Sequence, residues 1–131
     1  MEVERLLRVV TLRKGKLKPA EFRLREGEEG LSLFARADNP TPEEVLEAVR
    51  DMGKQGELGI AVILARQIAE LGLVLLQTPG GTSSEEVNTI HYEARLGRLF
   101  RVLLRLRGQR PHEYFNEHYS SKLCEIAQLL E

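Results

Sequence analysis

A chain of 131 residues with 42% hydrophobic and 30% charged residues has the size and make-up of one folded domain, which excludes a disordered chain. A net charge of −1 gives no global pull towards nucleic acid or membrane, and no apolar run approaches the roughly 18 to 20 residues of a membrane span. Cys124 is the only cysteine, which excludes an internal disulfide and a thiolate cage, so the expected compartment is the cytosol.

The opening MEVERLLRVV alternates charge and is interrupted by Arg8, so it is not expected to be a signal peptide. The run Val9-Val10-Thr11 before Lys14-Gly15 predicts a strand and turn over 6–16. In EFRLRE (21–26), Phe22 and Leu24 alternate with Arg23 and Arg25, the pattern of a strand. An acidic turn from Gly27 to Gly30 leads to a second strand, LSLFAR (31–36). Thr41-Pro42-Glu43-Glu44 combines a capping threonine, a first-turn proline and a glutamate able to reach back. The helix it starts carries Val45, Leu46, Val49 and Met52 on one face and stops at Gly53.

GIAVILA (59–65) reads as a strand buried on both faces, followed by a short helix (66–71) that Gly72 ends. LVLLQT (73–78) reads as another buried strand. Pro79-Gly80-Gly81 breaks the chain, Thr82 to Glu86 offers overlapping capping boxes for a helical turn, and VNTIHYEA is the next strand. Residues 98–107, bracketed by Gly97 and Gly108, are expected to be helical. From Pro111 onwards, Phe115, Tyr119, Leu123, Ile126 and Leu130 recur at the spacing of one buried helical stripe. Together these elements predict a single α+β domain spanning 1–131. It has a mixed sheet of about five strands covered mainly on one face, a capped helix after residue 41 and a C-terminal helix.

Two features carry chemistry. On the strand through residue 91, Thr89, His91, Glu93 and Arg95 share the face predicted to point outwards, while Ile90, Tyr92 and Ala94 point inwards. A base, a carboxylate and a guanidinium at this pitch match the residue types of metal-independent ribonucleases. Glu93 would take a proton, His91 would give one, and Arg95 would hold phosphoryl oxygens. The preferred reading is plainer, because the same residue types are ordinary on the solvated face of a half-exposed strand.

The second feature is RLGRLFRVLLRLRGQR (95–110), with six arginines and no acid. Residues 95–131 hold 7 Lys/Arg against 4 Asp/Glu, whereas residues 1–94 hold 12 against 16. On a helix, Arg98, Arg101 and Arg105 fall within about 60° of one another, beside a stripe of Leu99, Val102, Leu103 and Leu106. Such a helix is expected to bury its leucines. Its guanidinium groups would then face a partner or lie over the acidic Glu26, Glu28 and Glu29 of the same chain.

The remaining motifs are weaker. Pro79 to Ser84 lacks the lysine of a phosphate loop and is expected to be a turn. His112, His118 and Cys124 stand six apart, about 120° around a helix, so they do not converge and no metal site or cofactor is expected. The sequence therefore points to a non-catalytic cytoplasmic domain that works by contact. A protein partner or self-association into a homo-oligomer is favoured over nucleic acid or membrane, with Arg98, Arg101 and Arg105 as binding residues. The alternative is a small hydrolase or ribonuclease built on His91, Glu93 and Arg95.

Overall fold

Two alternations run along the first strand at once. In β1 (Arg5–Thr11), Leu6 and Val10 belong to one buried cluster and Leu7 and Val9 to another. Such a strand needs cover on both sides. The computed structural model, which describes residues 3–130, supplies it; Met1, Glu2 and Glu131 of the expected domain lie outside the described residues.

The other strands are β2 (Gly30–Ala35), β3 (Leu58–Leu64), β4 (Val74–Gln77), β5 (His91–Arg95) and β6 (Gln128–Leu129). They form one sheet in the order β4-β5-β2-β1-β3-β6, and every pairing is antiparallel. The α+β class holds, with six strands in place of about five and an antiparallel sheet in place of a mixed one. Strands β3 and β4 run in the same direction, but helix α2 (Ala65–Glu70) carries the chain from β3 to the far edge of the sheet, so the two are not neighbours and no parallel pair forms. The crossing is a step of four strand spacings, roughly 19 Å.

Helices cover both faces, not mainly one. On the first, Leu6, Val10, Leu31, Leu33 and Ile63 pack against Ile68 of α2, Leu104 of helix α4 (Arg98–Leu106) and Phe115 and Leu123 of helix α5 (Pro111–Ile126). On the second, a smaller cluster of Leu7, Val9, Phe34 and Ile60 packs against Val45 and Ala48 of helix α1 (Pro42–Asp51) and Val87 of helix α3 (Glu85–Thr89). The capping box is formed as expected. Glu44 N–H donates to the Thr41 hydroxyl at 3.2 Å, and Thr41 N–H donates to the Glu44 carboxylate at 3.1 Å. No helix among the described residues is long and apolar enough to cross a membrane.

Four further expectations are corrected. The stretch 21–26 is not a strand: a 3-10 turn, Pro19–Phe22, leads into an extended segment that buries Phe22 and Leu24. The alternation of burial is real, but the backbone of Leu24 pairs with a side chain instead of a neighbouring strand. Asn116 Oδ1 accepts from Leu24 N–H at 2.6 Å and Asn116 Nδ2 donates to Leu24 O at 2.9 Å. Second, the strand predicted over 73–78 is the short edge strand β4, Val74–Gln77, largely exposed because it has β5 on one side only, and within 73–78 only Leu73 is buried. Third, the strand of VNTIHYEA begins at His91, leaving Thr89 in α3. Fourth, α5 ends at Ile126, and Leu130 lies beyond β6, its N–H on the carbonyl of Ile60.

Asn116 thus does the work of a missing strand, fastening α5 to the segment after the 3-10 turn. Asn116→Ala is expected to cost about 2 kcal/mol by leaving two partly buried backbone groups unpaired. A shift of the urea midpoint at unchanged slope measures it; no shift would mean that water replaces the amide without loss.

Candidate functional site

His91, Glu93 and Arg95 do share one face of β5, as the alternation requires, but the face is not open at its His91 end. The register sets His91 opposite Phe34, Glu93 opposite Ser32 and Arg95 opposite Gly30. His91 is only 5% exposed, so the expectation of a solvent-facing imidazole is corrected. The cause is the segment after β4, which folds back over the ring. Thr78 N–H donates to the carbonyl of His91 at 2.9 Å, Gly81 lies against the imidazole, and Phe34 meets it edge-on at 5.1 Å.

Both ring nitrogens have partners. His91 Nδ1 is 2.6 Å from the carbonyl oxygen of Thr78 and 3.0 Å from its hydroxyl. A carbonyl can only accept, so Nδ1 carries the hydrogen. In the neutral imidazole Nε2 is then an acceptor, and Ser32 Oγ stands 2.5 Å from it, placed to donate. Ser32 is the diagonal neighbour of His91 across β2 and β5, within side-chain reach.

Ser32 and His91 border a cavity of about 150 Å³, together with Arg8, Phe34, Lys54 and Gly81. Arg8 enters because β1 leaves β2 after the Leu7–Phe34 pair and continues on β3 as far as Leu58. The guanidinium reaches into the opening, donating from Nε to Glu21 O at 2.7 Å and from Nη1 to Ser32 O at 2.8 Å. Its hydrogen-bond partners are carbonyls, not carboxylates. Loss of solvent pulls its pKa down to about 10, against the opposing pull of Glu21 and Glu28; it stays charged at neutral pH. The Glu21 carboxylate serves others, 3.3 Å from Lys54 Nζ and 2.7 Å from the Thr11 N–H that donates to it. A larger concavity of about 660 Å³, bordered by Arg5, Leu64, Arg66 and Tyr92, contains none of the His91 row.

At the other end of the row the charges are spent on one another. Arg95 Nη2 and Nε lie 2.7 and 2.8 Å from Glu93 Oε1, and Arg95 also pairs with Glu29 at 3.2 Å. Glu93 is held as an ion-pair partner in place of the free base the ribonuclease reading needs.

The arginine helix is turned the other way round from the expectation. Arg101 points inwards, its side chain 11% exposed, with Nη1 3.0 Å from Glu29 and a buried Nε that has no hydrogen-bond partner. Leu104 is buried, whereas Leu99, Val102, Leu103 and Leu106 are exposed. Arg98 and Arg105 flank this outward stripe and are exposed. The idea that the arginines lie over the chain's own acids is met at Arg101–Glu29 and, more loosely, at Arg110–Glu26 (3.7 Å).

The Pro79 to Ser84 loop wraps Asn88, whose side chain takes Thr82 N–H at 2.8 Å and Thr82 Oγ1 at 2.7 Å, so the Thr82 amide is committed within the turn. On α5, the His118 ring lies 4.1 Å from that of Tyr114, and Cys124 Sγ donates towards Leu17 O at 3.7 Å. Burial pushes the Cys124 thiol pKa up.

Sequence reasoning missed Ser32, Arg8 and Thr78. The available signal was a lone polar residue in each of two apolar strands, Arg8 in LLRVV and Ser32 in LSLFA. Comparison with family models, curated proteins and solved structures finds no match to this chain.

Proposed function

We propose that this chain is a cytoplasmic contact domain that docks an amphipathic helix of a protein partner on the outward face of α4. The observation that carries this reading is the exposure of Leu99 (76%) and Leu106 (78%), with Val102 and Leu103 between them. Positions i, i+3, i+4 and i+7 make a continuous seam one helix wide. Full burial of each leucine is worth about 1.5 to 3 kcal/mol, and monomeric surfaces rarely leave such a patch bare.

The flanks state the partner's chemistry. Arg98, Arg105 and Arg107 border the seam with no acid between residues 94 and 112, so a partner helix with glutamates or aspartates beside its own apolar stripe complements it. Two α4 helices packed on each other would bring these arginines together. That weighs against self-association through this seam.

The test uses synthetic helical peptides with a leucine stripe and either glutamate or lysine flanks, titrated by calorimetry. The glutamate peptide is expected to bind and the lysine peptide to fail, with affinity falling as salt rises. Leu99→Glu with Leu106→Glu is expected to abolish binding while the melting temperature holds. Equal binding of both peptides, a wild type that is a dimer by light scattering, or binding that survives the double substitution overturns the proposal.

A further inference from the structure

The α4 seam uses neither Ser32 nor His91, and these two carry a separate inference. We propose that Ser32 and His91 form a nucleophilic dyad at the cavity bordered by Arg8, Lys54 and Gly81, and that it cleaves small, short-chain acyl esters.

Three geometric observations support it. Ser32 Oγ is 2.5 Å from His91 Nε2, the distance at which a hydroxyl proton can pass to the ring. The Thr78 carbonyl at 2.6 Å from Nδ1 fixes the tautomer and ring orientation, the task a carboxylate performs in a serine triad. Arg8 and Lys54 both border the cavity of about 150 Å³ beside the pair. Of the Arg8 nitrogens, Nε and Nη1 are used by backbone carbonyls, and Nη2 has no protein partner among the described residues. An N–H group of that kind suits a developing oxyanion.

The steps balance with water as the only co-reactant. Ser32 Oγ attacks the ester carbonyl carbon as its proton passes to His91 Nε2, and the carbonyl π pair moves onto oxygen, facing Arg8. Collapse re-forms the carbonyl and breaks the bond to the leaving oxygen, which takes the proton from Nε2 and departs as the alcohol. Water then attacks the acyl-Ser32 carbonyl, giving a proton to Nε2. The bond to Oγ breaks, the acid leaves, and the proton returns to Ser32. A neutral carbonyl stabilises the imidazolium less than a carboxylate does, so turnover is expected to be slow and the acyl-serine long-lived.

A small fluorophosphonate tests this on the intact chain, with p-nitrophenyl acetate and octanoate as substrates. One adduct per chain is expected by intact mass, mapped to Ser32 by fragmentation, with acetate cleaved faster than octanoate. Ser32→Ala is expected to remove the adduct, and His91→Gln to slow labelling by at least about 100-fold. Should His91→Gln fail to fold, Ser32→Cys with Cys124→Ala decides the point. A thiol activated by His91 reacts with iodoacetamide faster in the folded protein than after urea unfolding, and one merely buried reacts more slowly. No adduct on folded wild type, an adduct that survives Ser32→Ala, or a sluggish thiol at position 32 overturns the proposal. None of these outcomes bears on peptide binding at α4.

Discussion

Phe115→Ala is expected to destabilise the protein by about 3 to 5 kcal/mol, the range for deleting a fully buried aromatic ring. Phe115 is 0% exposed, and its ring centroid lies 5.5 Å from that of Tyr119 within the first-face cluster. The same helix holds the 3-10 segment through Asn116 and through Ser120 Oγ, which donates to Phe22 O at 2.8 Å. A cavity at position 115 therefore loosens two attachments at once. A domain of this size has about 5 to 15 kcal/mol in total, so the variant should sit near the edge of folding, melting about 10 to 20 °C lower. Leu99→Ala is the control, a large apolar side chain removed from an exposed position (76% exposed) with almost no change. A loss below about 1 kcal/mol for Phe115→Ala would show that α5 does not pack on the sheet as described.

The fold elements legible in the sequence are those fixed by local chemistry. Thr41, Pro42 and Glu44 specify where α1 begins without reference to anything distant, and the structure forms the cap with those groups. The stripe Phe115, Tyr119, Leu123 and Ile126 likewise needs only helical periodicity. Leu130 fits the same spacing, yet the chain turns at Ala127 to add a two-residue strand to β3. No periodicity announces a strand that short. The segment at Phe22 and Leu24 failed for a different reason. Alternation reports which side chains are buried, not what satisfies the backbone, and here a single asparagine does so. Strand order and direction are tertiary, and nothing in GIAVILA or LVLLQT says that one lies beside β1 and β6 while the other sits at an open edge.

The site was legible in outline only. Alternation placed His91, Glu93 and Arg95 on one face of a strand correctly, but which face is covered depends on where residues 78–82 return. Ser32 is 59 positions from His91 in the chain, and only the β2–β5 register makes them neighbours. For α4, the sequence separates an arginine side from a leucine side without saying which is inside. The orientation is consistent with Glu29, which pairs with Arg101 and Arg95 and leaves the leucines facing out.

Glu29→Lys is accordingly expected to release α4. Glu29 lies within ion-pair distance of Arg95 at 3.2 Å and Arg101 at 3.0 Å, and its carboxyl pKa is held below the usual value, first by the Arg101 hydrogen bond, then by the Arg101 and Arg95 charges. Reversal replaces two attractions by two repulsions. A unit pair at 4 Å is worth about 4 kcal/mol in a surface-like dielectric, but a half-exposed carboxylate in salt keeps only a fraction, leaving about 2 kcal/mol as the expected loss. Arg101 is then left with no carboxylate partner beside its unpartnered Nε, so amides from Arg98 to Leu106 should exchange hydrogen faster while those of β1 and β3 stay protected. Acid should do the same to the wild type. A carboxyl with a lowered folded-state pKa stabilises the fold above its unfolded value near 4.5, and that stability is lost as pH falls through the folded value. Loss of protection in α4, relative to the intrinsic exchange rate at each pH, should therefore begin below pH 4.5 in the wild type and be present already at neutral pH in Glu29→Lys. Exchange in α4 that is indifferent to both changes would mean that Leu104 alone holds the helix, and that Glu29 does not set which of its faces meets solvent.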